Sequence, residues 1–326
     1  MTCASVLRAS TCDVTLPLGV DSIRVDSSHF SAQGTRTDTL QSAIMTPSFG
    51  TDRRLEPGIF DIITNLPSDW RDWYLQTAKV SNLPLMALVA ASTAVMIVYD
   101  NQMWVPFEKL YDKNQTVHTL ADYFVDLGDG KFQFSVAGVF LGYGAIAGDK
   151  RALRTASQVG EVILAAGGVV QFLKYATGRE SPFCTSTPTG RWQLFPDFKS
   201  YFTSQSRYNA FPSGHLTTSL ATLTVIARNY PEQAWIAPVG YVVCTGISLG
   251  LVAQSIHWWS DFPLAIALGY GFGSLLSPNP DADVSVTESP KAKSTGFLGI
   301  GKLLDQASIS PTYEPGGMGI AMSWKF

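Results

Sequence analysis

The stretch Phe211-Pro212-Ser213-Gly214-His215 opens an uncharged apolar run over residues 216–227. Proline and serine are favoured where a helix begins, and glycine lets a ligand come close to the backbone. The free N–H groups of a helix start bind anions, and a histidine beside them exchanges a proton near neutral pH. The stretch therefore predicts an anion site that carries an acid/base group.

Two more polar groups lie at the ends of other apolar runs. Lys174 and Arg179 follow the run 159–172, and His257 and Asp261 follow the run 235–253. The i,i+4 spacing of His257 and Asp261 places them on one face if their segment is helical. The topology decides whether these polar groups come together with the 211–215 stretch.

Six apolar runs predict the fold. They cover residues 83–99, 132–148, 159–172, 216–227, 235–253 and 262–276, with a shorter helix expected near 120–127. Charged residues make up 15% of the chain, against about 25% in an ordinary soluble domain. The sequence therefore predicts an all-α, six-helix bundle that is embedded in a membrane. Membrane lipids are therefore predicted partners of the bundle.

An even number of crossings places both chain ends on one side of the membrane and all three polar groups on the other side. The basic connection 149–154 lies on the side of the ends, which makes that side cytoplasmic by the positive-inside rule. We therefore expect a bacterial inner-membrane protein whose polar groups face the periplasm. Because runs 216–227 and 262–276 are short for a crossing of about 30 Å, a soluble or peripheral periplasmic bundle is the alternative.

The chain is predicted to have three parts: a polar tail over 1–58, a helical domain over 59–278, and a second tail over 279–326. Residues 318–326 alternate with period two, which predicts a strand that pairs with another tail segment or with the edge of a partner. The tails are the expected contact points for protein partners. The net charge of −3 gives no basic face, so nucleic acid is not a predicted partner.

Three aromatic residues, Trp70, Trp73 and Tyr74, lie in the segment 59–78. They suit a helix at a membrane interface as well as a helix packed on the core. The loop 178–212 contains eight aromatic residues and four cations. We expect it to cover the site, with aromatic rings for an apolar substrate tail and cations for a phosphate, unless it only packs on the bundle.

The cysteines, Cys3, Cys12, Cys184 and Cys244, lack the spacing of metal ligands. Cys3 and Cys12 are a possible disulfide in an oxidising compartment. No His, Cys and carboxylate cluster has ligand spacing either, so the sequence predicts no metal and no cofactor.

With these three blocks the sequence resembles the type 2 phosphatidic acid phosphatase (PAP2) superfamily, which includes class A acid phosphatases and vanadium haloperoxidases. The family pattern is K-x6-R-P, then P-S-G-H, then S-R-x5-H-x3-D, and the resemblance covers roughly residues 80–276. The second block is intact. The first keeps Lys174 and Pro182 but has Ser181 in place of arginine, and the third has Gly250-Leu251 in place of Ser-Arg.

The resemblance implies a metal-free phosphatase in which His257 attacks phosphorus, Asp261 orients His257, and His215 is the acid/base. It also implies that Ser213, Gly214 and Lys174 bind the phosphate oxygens. Since two arginines of the pattern are missing, we expect Arg179 to enter the site as a replacement, with Arg207 as a second candidate.

These residues predict dephosphorylation of a lipid phosphate or diphosphate through a phosphohistidine; a small phosphomonoester fits the same pocket. The rival prediction is a catalytically impaired scaffold or subunit of a larger membrane assembly. The missing arginines favour this rival, and the retained His215, His257 and Asp261 speak against it. A haloperoxidase is a third possibility, and it needs the missing arginines at least as much.

Overall fold

The computed structural model describes residues 61–278, 307–314 and 317–324. The predicted tail over 1–58 and much of the tail after 278 lie outside the described residues. The chain divides into two compact units, Met1–Ala282 and Asp283–Phe326. The three-part division predicted from the sequence stays a prediction.

The first unit is helical over its described residues, which confirms the predicted all-α class. Its helices are α1 Asp61–Thr64, α2 Leu66–Thr77, α3 Leu83–Lys113, α4 Gln115–Gly128, α5 Gly130–Ala147, α6 Lys150–Thr177, α7 Phe198–Thr203, α8 Gly214–Asn229, α9 Ile236–Ala253 and α10 Phe262–Leu276. Short 3-10 turns cover Val80–Asn82, Pro182–Cys184, Gln205–Arg207 and Trp259–Asp261. The six apolar runs coincide with α3, α5, α6, α8, α9 and α10, apart from the cap residues Gly148 and Trp235 at one end of α5 and α9.

Side-chain caps explain where several of these helices begin. The carboxylate of Asp149 accepts hydrogen bonds from the N–H groups of Arg151 and Ala152 at the start of α6. The amide of Asn114 and the carboxylate of Asp129 cap α4 and α5 in the same way. Each cap satisfies N–H groups that a helix start would otherwise leave without a partner.

Helix α3 is longer than the sequence predicted. The prediction ended the helix at the polar residues after Tyr99, but α3 continues through Pro106 to Lys113. Its second half packs on the bundle through Asp100, Trp104 and Tyr111, which are buried. Burial of this face offsets the hydrogen bond that proline removes from a helix interior.

The core lies between α6, α8 and α10. Buried side chains from these helices form one cluster, which includes Val159, Val162, Ala166, Ala221, Val225, Leu268 and Phe272. Helices α8 and α10 approach each other closely, because a Cβ at Gly269 would lie 2.6 Å from the Thr217 carbonyl oxygen. This contact keeps the start of α8 beside the segment that leads into α10.

Helix α2 packs on the bundle. The ring of Trp73 stacks on Phe272 at 5.1 Å, and Trp70 Nε1 donates to the Ala165 carbonyl at 2.9 Å. Of the two predicted positions for this helix, the structure has the packed one, although Tyr74 remains exposed.

Within the described residues, three segments are long and apolar enough to cross a membrane: Val80–Lys113, α6 and α9. The apolar window of the first has no buried residues, so its side chains face outward from this chain. These segments indicate a membrane protein. Helices α8 and α10, with 16 and 15 residues, are only about 24 and 22 Å long. Six crossings therefore stay a prediction.

The second unit contains two antiparallel strands, β1 Ala307–Glu314 and β2 Gly317–Trp324. Ala307 pairs with Trp324 and Glu314 with Gly317, so the two strands form a hairpin. The strand expected near 318–326 thus pairs with another segment of the same tail.

Candidate active site

The Pro-Ser-Gly-His block forms the start of α8. Ser213 is the N-cap residue, and its hydroxyl accepts a long hydrogen bond of 3.5 Å from the Leu216 N–H. The Ser213 N–H donates to the backbone carbonyl of Asp261 at 3.2 Å. The anion-binding end of α8 is therefore tied directly to the block that contains His257.

Lys174 reaches the same place from the last turn of α6. Its side chain is buried, and Nζ lies 3.7 Å from the position that a Cβ on Gly214 would occupy. The ammonium group therefore lies against the first residue of α8. A larger residue than glycine at position 214 would fill the space between them.

His257 and Asp261 meet without the helix that the sequence prediction assumed. Helix α9 ends at Ala253, Ser255 has a left-handed φ of 60°, and only a 3-10 turn covers Trp259–Asp261. The His257 Nδ1 atom nevertheless lies 3.1 Å from Asp261 Oδ2. The same oxygen accepts the Trp258 N–H at 2.8 Å, so a local cap presents the carboxylate to the imidazole.

The two histidines face each other with ring centroids 6.4 Å apart. Burial, helped by the neighbouring His257 and Lys174 and opposed by Asp129, lowers the pKa of His215 to about 4. Burial also lowers the pKa of His257, against opposing effects of Asp261 and the Ala210 carbonyl. Both rings are therefore neutral near pH 7 while the site holds no anion.

Arg179 lies inside the site, fully buried between two carboxylates. Its Nη1 donates to Asp261 Oδ1 and to Ser260 Oγ, both at 2.6 Å. Its Nη2 donates to Asp100 Oδ2 at 2.7 Å and to the Thr189 carbonyl at 2.8 Å. Gly178 turns the chain toward this position: its φ is +53°, and a Cβ there would lie 1.9 Å from the Gln193 carbonyl oxygen.

These contacts correct the geometry expected of Arg179. A guanidinium has five N–H donors, and the four on Nη1 and Nη2 are occupied. Only Nε lacks a hydrogen-bond partner among the described residues. Arg179 therefore cannot grip a phosphate with its planar fork unless it releases a buried carboxylate. Its predicted phosphate-binding role stays untested, and its contacts favour holding Asp261.

Arg207, the second candidate, ends the 3-10 turn Gln205–Arg207 and is half-buried in the same loop. Its role as a phosphate ligand also stays a prediction. Asp100 is the site residue that sequence reasoning missed. A signal was present, since Asp100 directly follows 17 uncharged residues, and a carboxylate in such a segment commonly marks a functional site.

Tyr175 of α6 and four rings of the loop 178–212 form a group that we call the aromatic cluster: Tyr175, Phe195, Phe198, Tyr201 and Phe202, of which Phe195, Phe198 and Phe202 are exposed and Tyr201 is buried. Tyr175 contacts Phe195, Phe198 and Tyr201 at centroid distances of 5.9, 6.3 and 5.3 Å. Part of the cluster lines a cleft of about 350 Å³, together with the amides of Gln171, Gln205 and Asn209. None of the residues that line this cleft is a predicted site residue, but Tyr175 directly follows Lys174 in the chain.

Among residues 61–278 and the two strands, no group of three or more His, Cys, Asp or Glu side chains is placed to hold a metal ion. The ionisable groups that do converge are His215, His257, Asp261, Lys174 and Arg179. This is an arrangement for proton transfer and anion binding.

Comparison with known proteins agrees with this arrangement. The family model of the PAP2 superfamily matches residues 155–282, which agrees with the resemblance predicted from the sequence. The lipid A 1-phosphatase of Porphyromonas gingivalis is 27% identical over 110 residues, which cover 33% of this chain and 20% of that protein. The chain thus matches about a fifth of the length of this curated relative.

Among solved structures, the crystal structure of the transmembrane PAP2-type phosphatidylglycerolphosphate phosphatase from Bacillus subtilis is similar to this chain. It has a TM-score of 0.38 and 11% identity, and the match covers 70% of this chain and 98% of that one.

Proposed function

We propose that this protein is a metal-independent phosphatase that acts on a lipid phosphate or diphosphate through a phosphohistidine on His257. The observation that carries the proposal is the contact of 3.1 Å between His257 Nδ1 and Asp261 Oδ2 beside the start of α8. His215, with its ring 6.4 Å from that of His257, and Lys174, beside Gly214, complete the arrangement.

In the first step, His257 Nε2 attacks phosphorus, a P–N bond forms, and the bond from phosphorus to the leaving oxygen breaks. His215 gives its proton to that oxygen. Asp261 accepts the Nδ1–H of His257, which keeps Nε2 unprotonated for attack and stabilises the positive ring that forms. A bound phosphate supplies the negative charge that favours protonation of His215.

In the second step, His215 removes a proton from water, and the oxygen of that water attacks phosphorus. The P–N bond breaks, inorganic phosphate leaves, and His257 returns to its neutral form. Throughout, the N–H groups at the start of α8 and the Lys174 ammonium hold the non-bridging oxygens.

The missing arginines at positions 181 and 251 are the argument for the rival function, an impaired scaffold. Loss of one donor that stabilises the transition state costs about 3–4 kcal/mol in other enzymes. Arg179 offers one unoccupied donor instead of a fork, so the replacement is incomplete in the resting geometry. The rival therefore predicts a folded protein with no turnover.

A lipid is the proposed substrate class because of the aromatic cluster. Phe198 and Phe202 are 66% and 55% exposed, which is unfavourable for large rings unless an apolar partner covers them. A substrate whose phosphate occupies the start of α8 would place its apolar part against these rings. The curated relative from Porphyromonas gingivalis is named for a lipid phosphate, lipid A 1-phosphate.

The proposed location is the bacterial inner membrane, with six crossings and the site on the periplasmic face. The half-exposed thiol of Cys184 reports on this orientation because it belongs to the loop over the site. In intact cells that carry the protein with Cys3→Ser and Cys12→Ser, a membrane-impermeant maleimide is expected to label Cys184. Labelling only after lysis would place this loop in the cytoplasm.

The function is tested by phosphate release from phosphatidate, lipid A and undecaprenyl diphosphate in detergent with EDTA present. The control is His257→Ala. The proposal expects release that survives EDTA, is blocked by vanadate and disappears in the variant. A folded protein with no release above the variant between pH 5 and pH 8 would favour the scaffold.

A further inference from the structure

We propose that Asp100 and Arg179 act as a clamp that positions Asp261 and thereby controls His257. The clamp is the pair of side chains Asp100 and Arg179. Its kinetic consequences rest on the proposed phosphatase function, whereas its electrostatic consequence is measurable on the resting protein.

The clamp divides the two oxygens of Asp261 between two partners. Oδ1 accepts from Arg179 at 2.6 Å, and Oδ2 faces His257 at 3.1 Å. Since a carboxylate is planar, fixing Oδ1 also fixes the direction in which Oδ2 points. Arg179 therefore determines the orientation of the hydrogen bond that holds the imidazole.

Asp100 in turn fixes Arg179 and the backbone before Asp261. Its Oδ2 accepts from Arg179 at 2.7 Å, and its two oxygens accept from the Ser260 N–H at 3.1 Å and hydroxyl at 2.5 Å. Asp100 comes from α3, while Arg179 and Ser260 come from two separate loops. The Asp100 carboxylate thus holds both the arginine that bonds to Asp261 and the residue that precedes Asp261 in the chain.

The charges of the clamp also act on His257. With Arg179 positive and both aspartates negative, the group carries a net charge of −1 beside the imidazole. The other ionisable groups that face His257 are Lys174 from α6 and His215 from α8. Removing the charge of Asp100 leaves Arg179 to neutralise Asp261, so a positive His257 loses stabilisation.

A purely structural role is the competing explanation. Buried ion pairs are often no more stabilising than apolar side chains of similar size, and removing one partner destabilises a fold. Loss of stability in a clamp variant therefore decides nothing. The decisive measurement is the titration of His257, because a packing defect has no reason to move it in a set direction.

The experiment is an NMR titration of the four histidines in isotopically labelled protein in detergent, with His257 assigned by His257→Gln. Asp100→Asn is expected to move the His257 midpoint to lower pH. Two further variants are expected to return the His257 midpoint toward the wild-type value. They are Asp100→Glu, which keeps the charge, and the double variant Asp100→Asn with Arg179→Gln. Glu180→Gln is the matched control: this buried neighbour of Arg179 bonds to Ser186 and Arg191.

An unchanged midpoint in Asp100→Asn, a shift to higher pH, or an equal shift in Glu180→Gln would overturn the clamp. If Asp100→Asn does not fold, Arg179→Lys takes its place, because lysine keeps the charge but lacks the fork that bridges two carboxylates. We then expect an unmoved midpoint and a kcat about tenfold lower, with little change in KM. Unchanged kcat would contradict the positioning role.

The two proposals fail separately. If the wild-type protein releases no phosphate, the phosphatase proposal fails and Arg179→Lys has no kinetic readout. The titration shifts of Asp100→Asn, Asp100→Glu and the double variant still decide whether the clamp controls His257. If turnover is normal but these shifts are missing, the clamp fails and the phosphatase proposal stands.

Discussion

The Nδ1 atom of His257 lies 3.1 Å from Asp261 Oδ2 across a stretch that contains no α-helical turn. The carboxylate is held by the Trp258 N–H and by Arg179 on its other oxygen. The tautomer that carries the proton on Nδ1 follows from this contact. Nε2 is then the nitrogen available for attack.

Replacing Asp261 with asparagine is expected to lower kcat by about 10⁴-fold. An amide is as large as the carboxylate but lacks the charge that stabilises the imidazolium, and loss of the equivalent carboxylate in a serine protease triad has an effect of this size. The measurement is steady-state phosphate release at saturating substrate. Asp197→Asn is the control, since this exposed carboxylate only caps α7. A decrease in kcat of less than tenfold in Asp261→Asn would contradict the role assigned to Asp261.

The value of kcat/KM is expected to be higher at acidic pH than at neutral pH. His215 must be protonated to serve as the acid, and its pKa in the resting protein is lowered to about 4. Above that pH the protonated fraction falls about tenfold per unit, so kcat/KM for the free enzyme should fall as pH rises from 5 to 8.

His215→Asn provides the comparison for this profile, because its residual activity should follow only the ionisation of His257 and of the phosphate, which has a second pKa of about 6. A wild-type kcat/KM that rises between pH 5 and pH 8 would be inconsistent with His215 as the acid.

Gly178→Ala is expected to destabilise the protein by about 2 kcal/mol or more. Position 178 has a left-handed φ, and the added Cβ would lie 1.9 Å from the backbone oxygen of Gln193, so the backbone would have to shift. Thermal unfolding in detergent measures the change. Gly167→Ala inside α6, the helix that Gly178 terminates, is the control: its Cβ meets no atom within 4 Å, so a gain of about 0.5–1 kcal/mol is expected. Equal effects of the two changes would argue against the turn geometry.

Phe202→Ala is expected to raise KM for a long-chain lipid phosphate by about 5- to 20-fold, because a buried aromatic contact contributes about 1–2 kcal/mol. A water-soluble phosphomonoester, which does not reach the aromatic cluster, should show KM within twofold of the wild type. Tyr143→Ala removes an equally exposed ring from α5 outside the cluster and should change neither value. A matching rise in KM for both substrates would show that Phe202 acts on the site and not on the lipid.

The sequence predicted the helices well because their signal is continuous. Each apolar run exceeds the length of a strand and ends near a polar cap or a glycine, and the residues from 262 to 276 fill α10 completely. The predicted end of α3 was wrong because a charged residue, Asp100, and a proline, Pro106, are typical of the place where a helix gives way to a loop. Only the packing of Trp104 against Trp258, at 5.5 Å, shows why the helix continues.

The contact between His257 and Asp261 was predicted from a spacing whose assumed helix is absent. The i,i+4 separation brings side chains together in a helix, but here a carboxylate that caps a turn gives the same proximity. For Arg179 the sequence placed the residue near the site but not its partners. Its contact with Asp100 joins positions 79 apart, and no local pattern encodes that distance.

The contacts of Asp100 also limit how far the chain can be shortened at its N-terminal side. The family match begins at residue 155, so a fragment cut to that match would keep both histidines, Lys174 and Asp261. It would lose α3, uncover Trp258 and leave Arg179 with one carboxylate in place of two. The smallest fragment that keeps both carboxylate contacts of Arg179 is therefore longer than the stretch of recognisable similarity, and expression trials that truncate this protein should begin upstream of α3.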